Sequence, residues 1–165
     1  MVNDNSIYYK EEHILLRKTV REFAQNEIAP LALEIDSKGT FPSESIKKLS
    51  ELGLMGIPWD PEYGGGGMDM LSLVITIEEL AKVCVSTAVT LMAHTSLGTG
   101  PFSYFGTPEQ KKKYLPEIAS GKLRLQAFGV TEPTSGTDTT SLRTTATKDG
   151  DDYIINGQKI WTSRA

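Results

Sequence analysis

Apolar residues recur at spacings of three and four through the first two-thirds of the chain, then give way to short β-branched runs punctuated by glycine. Over residues 11–28, Leu16, Val20, Phe23 and Glu27 share one face, which predicts an amphipathic helix, and Pro30 marks its expected end. Lys10, Arg17, Lys18 and Arg21 alternate with acids and read as a solvated face. Ser43 is placed to cap a second short helix with Ile46, Leu49 and Leu52 inward and Gly53 at its close. Asp69 is placed to cap a third, whose apolar face is Leu73, Val74, Ile77, Leu80 and Ala81. Glu78, Glu79 and Lys82 are assigned to its solvated side, because adjacent helical residues diverge by about 100° and do not act as an acid–base pair.

From Ser86 to Leu97 the residues are small or apolar nearly all round, which predicts a central helix. His94 on it reads as a packed core histidine; a place for His94, Thr95 and Ser96 beside a ligand cavity is the alternative. Thr107-Pro108-Glu109-Gln110 is a helix start: a capping threonine, proline in the first turn, and a glutamine able to reach back. Gly121 closes the helical part. The period then becomes strand-like, with strands expected over residues 123–130, 144–148, 153–155 and 158–161, and turns at Asp149-Gly150 and Asn156-Gly157. The fold class is therefore α+β, an all-α part followed by antiparallel strands.

The 165 residues carry a net charge of −4, which argues against nucleic acid as a main partner because phosphate binding needs a basic face. Three consecutive lysines, Lys111 to Lys113, splay around their helix rather than form a patch. No apolar run reaches about 20 residues, so no membrane span is expected. The first ten residues lack the apolar core of a signal peptide, and a reducing cytoplasm is the expected location. Cys84 is the lone cysteine and reads as a buried small hydrophobe; with only His13 and His94 beside it, no metal site is expected. Gly64 to Gly67 invite a phosphate-loop reading, but no Lys-Ser or Lys-Thr follows and no strand–helix unit frames them, so a tight connection is expected. Asp149, Asp151 and Asp152 lack the spacing and closing glutamate of a calcium loop.

The chemistry is concentrated in Phe128-Gly129-Val130-Thr131-Glu132-Pro133-Thr134-Ser135-Gly136-Thr137-Asp138 and in Ile160-Trp161-Thr162-Ser163. Small residues admit a ligand close to the backbone, and hydroxyls with free N–H groups offer donors to it; a plain polar connection between strands is the alternative. The run Gly129–Asp138 resembles the signature of the acyl-CoA dehydrogenase family, and Asn156-Gly157-Gln158-Lys159-Ile160-Trp161 resembles its second flavin-contacting strand. Tyr63-Gly64-Gly65-Gly66-Gly67 and residues 105–115 resemble further family segments.

The resemblance implies a helical N-terminal domain over residues 1–122 and the opening of a middle β domain over 123–165. It implies FAD as cofactor, an acyl-CoA substrate converted to the trans-2-enoyl thioester, electron-transfer flavoprotein as electron acceptor, and a homo-oligomer, a tetramer in the full-length protein. Phe128, Gly129, Val130, Thr131, Gly136, Thr137, Trp161, Thr162 and Ser163 are the implied flavin contacts; Thr137 and Ser96 are the implied substrate contacts. Phe128 replaces a frequent tyrosine, and Ser163 a usual threonine, keeping the hydroxyl near flavin N5. Glu132 is expected to be structural. The family's catalytic glutamate is expected beyond Ala165, which would leave these residues inactive alone. An acyl-CoA oxidase or flavin monooxygenase on the same fold, or a non-catalytic helical scaffold, are the alternatives.

Overall fold

The computed structural model of the chain describes residues 7–125 and 127–162. The first helix, α1, spans Glu11–Phe23, passes through a π-helical turn at Ala24–Ile28, and continues as α2, Ala29–Lys38, so the expected stop at Pro30 is corrected. In the wide turn the Ala29 N–H reaches the carbonyl of Ala24. Pro30 then lies in the first turn of a re-started helix, where its missing N–H costs nothing.

The buried stripe of α1 and the π turn is also displaced from the expected one: it comprises His13, Arg17, Val20, Ala24 and Ile28, and Glu27 is exposed. Hydropathy missed it because two of its members are polar. Arg17 finds partners on α4, Met70–Ala81, against which α1 packs, and His13 on Asp69, the residue that precedes it. Asp69 caps α4 as expected, its carboxylate accepting from the Ser72 N–H at 2.9 Å. Leu73 and Leu80 are buried, but Val74 is exposed and Glu79, expected on the surface, is 1% exposed.

Between them, α3 spans Ser43–Glu51 and buries Ile46 and Leu49. Pro42, not Ser43, holds the N-cap position, and Leu52 is half-exposed at the C-cap. The glycine loop folds back on residues 56–59. The N–H groups of Gly64, Gly65, Gly66 and Gly67 donate to the carbonyls of Pro61, Asp60, Gly56 and Trp59, at 2.8–3.1 Å. All four donors a phosphate would need are consumed internally, so the tight-connection reading holds. A Cβ at Gly65 would lie 2.1 Å from the Trp59 carbonyl oxygen, which is why glycine is required there.

α5, Val85–Met92, and a second π segment, Ala93–Gly98, cover the expected central helix. They bury Thr87, Ala88, Leu91, His94 and Thr95, while Val85, Val89, Met92 and Leu97 are partly exposed. The expected helix forms but is not buried all round: its inner side mixes Ala88 and Leu91 with His94 and with Thr87 and Thr95, whose hydroxyls are satisfied locally, Thr95 donating to Leu91 O and Thr87 to Cys84 Sγ. α6, Gly100–Phe105, is too short to show a period and was not anticipated. α7, Pro108–Ala119, opens on the expected capping box, with Thr107 Oγ1 accepting from Gln110 N–H and Gln110 Oε1 from Thr107 N–H.

The residues beyond Leu125 form a second compact unit. Its hairpin pairs β1, Thr145–Asp149, with β2, Asp152–Asn156, antiparallel, Thr145 opposite Asn156 and Asp149 opposite Asp152. Gly150 takes φ +60° at the first turn position, the sign pattern of a type II′ turn. Every residue of both strands is exposed. The strands expected over 123–130 and 158–161 do not form among the described residues; Gln126 lies outside them. Ile160 N–H donates to Thr131 O, one residue past the first stretch, at 2.9 Å, and the Lys159 ammonium donates to Val130 O. The α+β fold class stands: helices first, then an antiparallel pair.

Candidate functional site

Glu132 organises the second unit. It closes a tight turn with Ser135, each N–H donating to the other's carbonyl, at 2.9 and 3.1 Å. Its side chain is turned inward, and the residue is only 4% exposed. One carboxylate oxygen accepts from the Arg143 N–H at 2.6 Å; the other accepts from the Thr144 N–H at 3.0 Å and from the Lys159 ammonium at 2.8 Å. Lys159 also donates to the Val130 carbonyl at 3.0 Å. The Lys159 ammonium and, after it, the groups of Thr144 and Arg143 hold the Glu132 carboxyl at about 2. Both oxygens of the Glu132 carboxylate are thus engaged within this unit.

This lacing sets residues 129–132 beside residues 159–162. A Cβ at Gly129 would lie 3.4 Å from Thr162 Oγ1 and 3.8 Å from Lys159 Cγ. The Val130 and Thr131 carbonyls are taken by Lys159 and Ile160. Their N–H groups have no acceptor among the described residues. Phe128 is nearly half exposed and Trp161 is 85% exposed. Trp161 takes φ +58°, and is the only non-glycine residue with positive φ among those described. Such a conformation costs about 1–3 kcal/mol and persists only where neighbouring structure imposes it.

The hydroxyls of the loop divide into two groups. Ser135, Thr140 and Ser141 are engaged around Asp138, which accepts at its carboxylate from Thr140 and Ser141 and at its carbonyl from Ser135. Those contacts, the Thr140 hydroxyl foremost, hold the Asp138 carboxyl below its ordinary value. The hydroxyls of Thr131, Thr134 and Thr137 have no partner among the described residues. A Cβ at Gly136 would meet nothing within 4 Å, so the space there is open. Ser163 lies outside the described residues. Ser96 belongs to the helical unit, where its hydroxyl donates to the Met92 carbonyl.

In the helical unit, Glu79 accepts from Arg17 at 2.7 Å, Arg21 at 2.9 Å and Lys82 at 2.8 Å, and Arg17 also reaches Glu78 and Tyr9. Burial pushes the Glu79 carboxyl up, but the bonds from Arg21, Lys82 and Arg17 outweigh it and hold it at about 2. His94 is a core histidine: Nδ1 accepts from the Leu125 N–H at 3.3 Å, so the ring proton sits on Nε2 and is donated to Ile118 O at 3.0 Å. Burial pushes its pKa down. His13 is satisfied in the same way, Nδ1 accepting from Lys10 N–H and Nε2–H donating to Asp69 at 3.0 Å. Glu12 completes a group of potential metal ligands there, but both ring nitrogens of His13 are already used. The sequence reading missed the Glu132–Lys159 and Arg17–Glu79 pairs. For the first pair the available signal is a lone acid and a lone lysine, each inside an otherwise uncharged run; Arg17 and Glu79 each stand beside a like charge and carry no such signal.

Residues 10–122 match the model of the acyl-CoA dehydrogenase N-terminal domain, and residues 127–165 that of the acyl-CoA dehydrogenase middle domain. The chain belongs to the acyl-CoA dehydrogenase family. It is 51% identical over 150 residues to the short-chain specific acyl-CoA dehydrogenase of Clostridium acetobutylicum, covering 91% of this chain and 39% of that protein. A chain solved in work on the electron transferring flavoprotein of Acidaminococcus fermentans superposes with a TM-score of 0.87 at 42% identity, over 95% of this chain and 41% of the other. An acyl-CoA dehydrogenase of Bacillus anthracis complexed with FAD gives 0.84 at 35% identity, over 95% and 27%. The chain spans about two-fifths of the curated relatives it matches. Among the described residues, no helix is long and apolar enough to cross a membrane.

Proposed function

We propose that this chain contributes the helical unit and the flavin-facing edge of a dehydrogenase that oxidises short acyl-CoA thioesters to trans-2-enoyl-CoA. The observation that carries the reading is the lacing of residues 129–132 to residues 159–162. It ties down two carbonyls, the Val130 and Thr131 N–H groups have no acceptor among the described residues, and Trp161 follows in an exposed, costly conformation. These features fit FAD, a flat ring with an acceptor-rich edge: donors to one side, aromatic surface to cover it from water. FAD, when bound, supplies the acceptor for the hydride leaving the β-carbon.

The chain's own residues take the following roles in this proposal. Phe128 and Trp161 exclude water from the ring, and the N–H groups of Val130 and Thr131, with Gly129 leaving room, hydrogen bond to its polar edge. Thr162 and Ser163 present hydroxyls near the reacting end. Gly136 and Thr137 admit the cofactor and the phosphate-bearing arm of the substrate. The proton-abstracting base is neither Glu132 nor Glu79. Both are buried and held ionised near 2 by cations, and a carboxylate stabilised that far below neutrality is a poor base. The preference for short chains and electron-transfer flavoprotein as the oxidant are suggested by the names of relatives; a homo-oligomeric enzyme is implied by the family resemblance alone.

The test is turnover of the native protein with butyryl-CoA through palmitoyl-CoA, following enoyl product. Product with electron-transfer flavoprotein as acceptor, fastest for the short substrates, is expected. Absence of bound flavin and of product with every substrate would sink the reading; product coupled to oxygen uptake instead would move it to an oxidase.

A further inference from the structure

The half-buried ion pair in the second unit has a position that structural support alone does not explain. Lys159 immediately precedes Ile160 and Trp161, and Glu132 immediately follows Val130 and Thr131. Each member of the pair therefore sits at the inner end of one of the two segments proposed to face the cofactor. The Lys159 ammonium bridges them, bonding the Glu132 carboxylate and the Val130 carbonyl at once. Glu132 extends the bridge to a third segment through the N–H groups of Arg143 and Thr144, where β1 begins.

Two consequences follow from the donor and acceptor count. With its carbonyl claimed by the lysine, the peptide unit between Val130 and Thr131 is fixed in rotation, and the N–H at its other end is fixed with it. The Ile160 N–H is claimed by the Thr131 carbonyl, which fixes the backbone leading into Trp161. An ammonium spanning a carbonyl and a buried carboxylate makes charge-assisted bonds, the strong kind, and holds this geometry before any ligand arrives.

We propose that Glu132 and Lys159 are positioning residues: as a pair they pre-set the Thr131 N–H and the backbone leading into the Trp161 indole for the isoalloxazine of FAD, without touching it. This rests on the flavin reading above. The pair does no chemistry. It removes the ordering that the two segments would otherwise undergo on binding, so its loss appears in cofactor affinity and in the sharpness of the flavin environment.

The test uses the native protein, freed of flavin and titrated with FAD, as wild type, Lys159→Met, Lys159→Arg and Glu132→Gln. Lys159→Met and Glu132→Gln are expected to raise the FAD Kd at least tenfold and to blur the vibronic structure of the bound-flavin spectrum. Lys159→Arg, which keeps the charge and its donors, is expected to stay within about threefold of wild type. A purely structural pair would lower the melting temperature yet leave Kd and spectrum at their wild-type values in the folded fraction, and that result overturns the proposal. Amide hydrogen exchange on the wild type covers the case in which the variants do not fold. The Arg143 and Thr144 amides should be slow with and without FAD, and those of Val130 and Thr131 slow only with it. Arg143 and Thr144 amides that exchange freely before FAD is added overturn the pre-set clamp. Wild-type protein that binds no FAD refutes the flavin reading itself, whereas tight wild-type binding matched by all variants refutes the clamp alone.

Discussion

At the scale of single residues, the helical unit depends on one carboxylate. Glu79 gathers Arg17, Arg21 and Lys82, and Arg17 is itself 2% exposed. Removing the charge leaves the buried Arg17 guanidinium with Glu78 as its one carboxylate and weakens the charge-assisted bonds from Arg21 and Lys82, which costs about 1.5–3 kcal/mol. Glu79→Gln should therefore lower the thermal midpoint of the helical unit by on the order of 10 °C, read by far-ultraviolet circular dichroism. Titration should tell the same story. Glu79 and Glu132 have folded values of about 2 against 4.5 for the free side chain. The unfolded chain thus binds the extra protons first, so their contribution is full above about 4.5 and is lost as pH falls toward 2. His94, pushed below 6.5 by burial, adds a loss that begins as pH drops through the ordinary histidine range. Urea midpoints measured from pH 8 to pH 3 should decline in two stages; a midpoint flat down to pH 5 would remove His94 from the account.

At the scale of elements, close backbone approach matters more than propensity. Gly65 passes so near Trp59 that an added Cβ would overlap its carbonyl. Gly65→Ala should destabilise by about 1–3 kcal/mol, measured by urea denaturation. Gly64→Asn is the control: φ there is +80° but nothing lies within 4 Å of a new Cβ, and asparagine tolerates that region. What could be read from sequence divides along the same line. Local chemistry was legible: the Asp69 cap, the Thr107–Gln110 box, the turn at Gly150 and the core role of His94 all depend on residues near in sequence or on simple burial. Pro30 was misread because a π turn can carry a helix through a proline, and no periodicity announces one. The buried face of α1 was misread because partnered polar groups look solvated in a hydropathy pattern. Residues 123–130 and 158–161 look like strands by composition, but no ladder joins them among the described residues: the Lys159 ammonium reaches Val130 O, and the Ile160 N–H goes to Thr131 O, one residue past the first stretch.

At the scale of the whole molecule, two compact units carry different parts of the account. The first supplies a helical framework with a polar, charge-paired seam between α1 and α4. The second presents the groups proposed to meet the flavin. The signature residues that gave the family away also carry the structural pair, so the motif records support as well as contact. The central claim is that Trp161 stands exposed in a costly backbone conformation because a flavin covers it. Trp59 is buried and Trp161 exposed, so their emission can be separated by accessibility to a soluble quencher. The direct measurement is tryptophan emission of the flavin-free native protein titrated with FAD, for wild type and Trp161→Phe. Saturable loss of the quencher-accessible emission in wild type, absent in the variant, is the predicted result. Accessible emission that persists at saturating FAD, with Trp161 still open to the quencher, would contradict it.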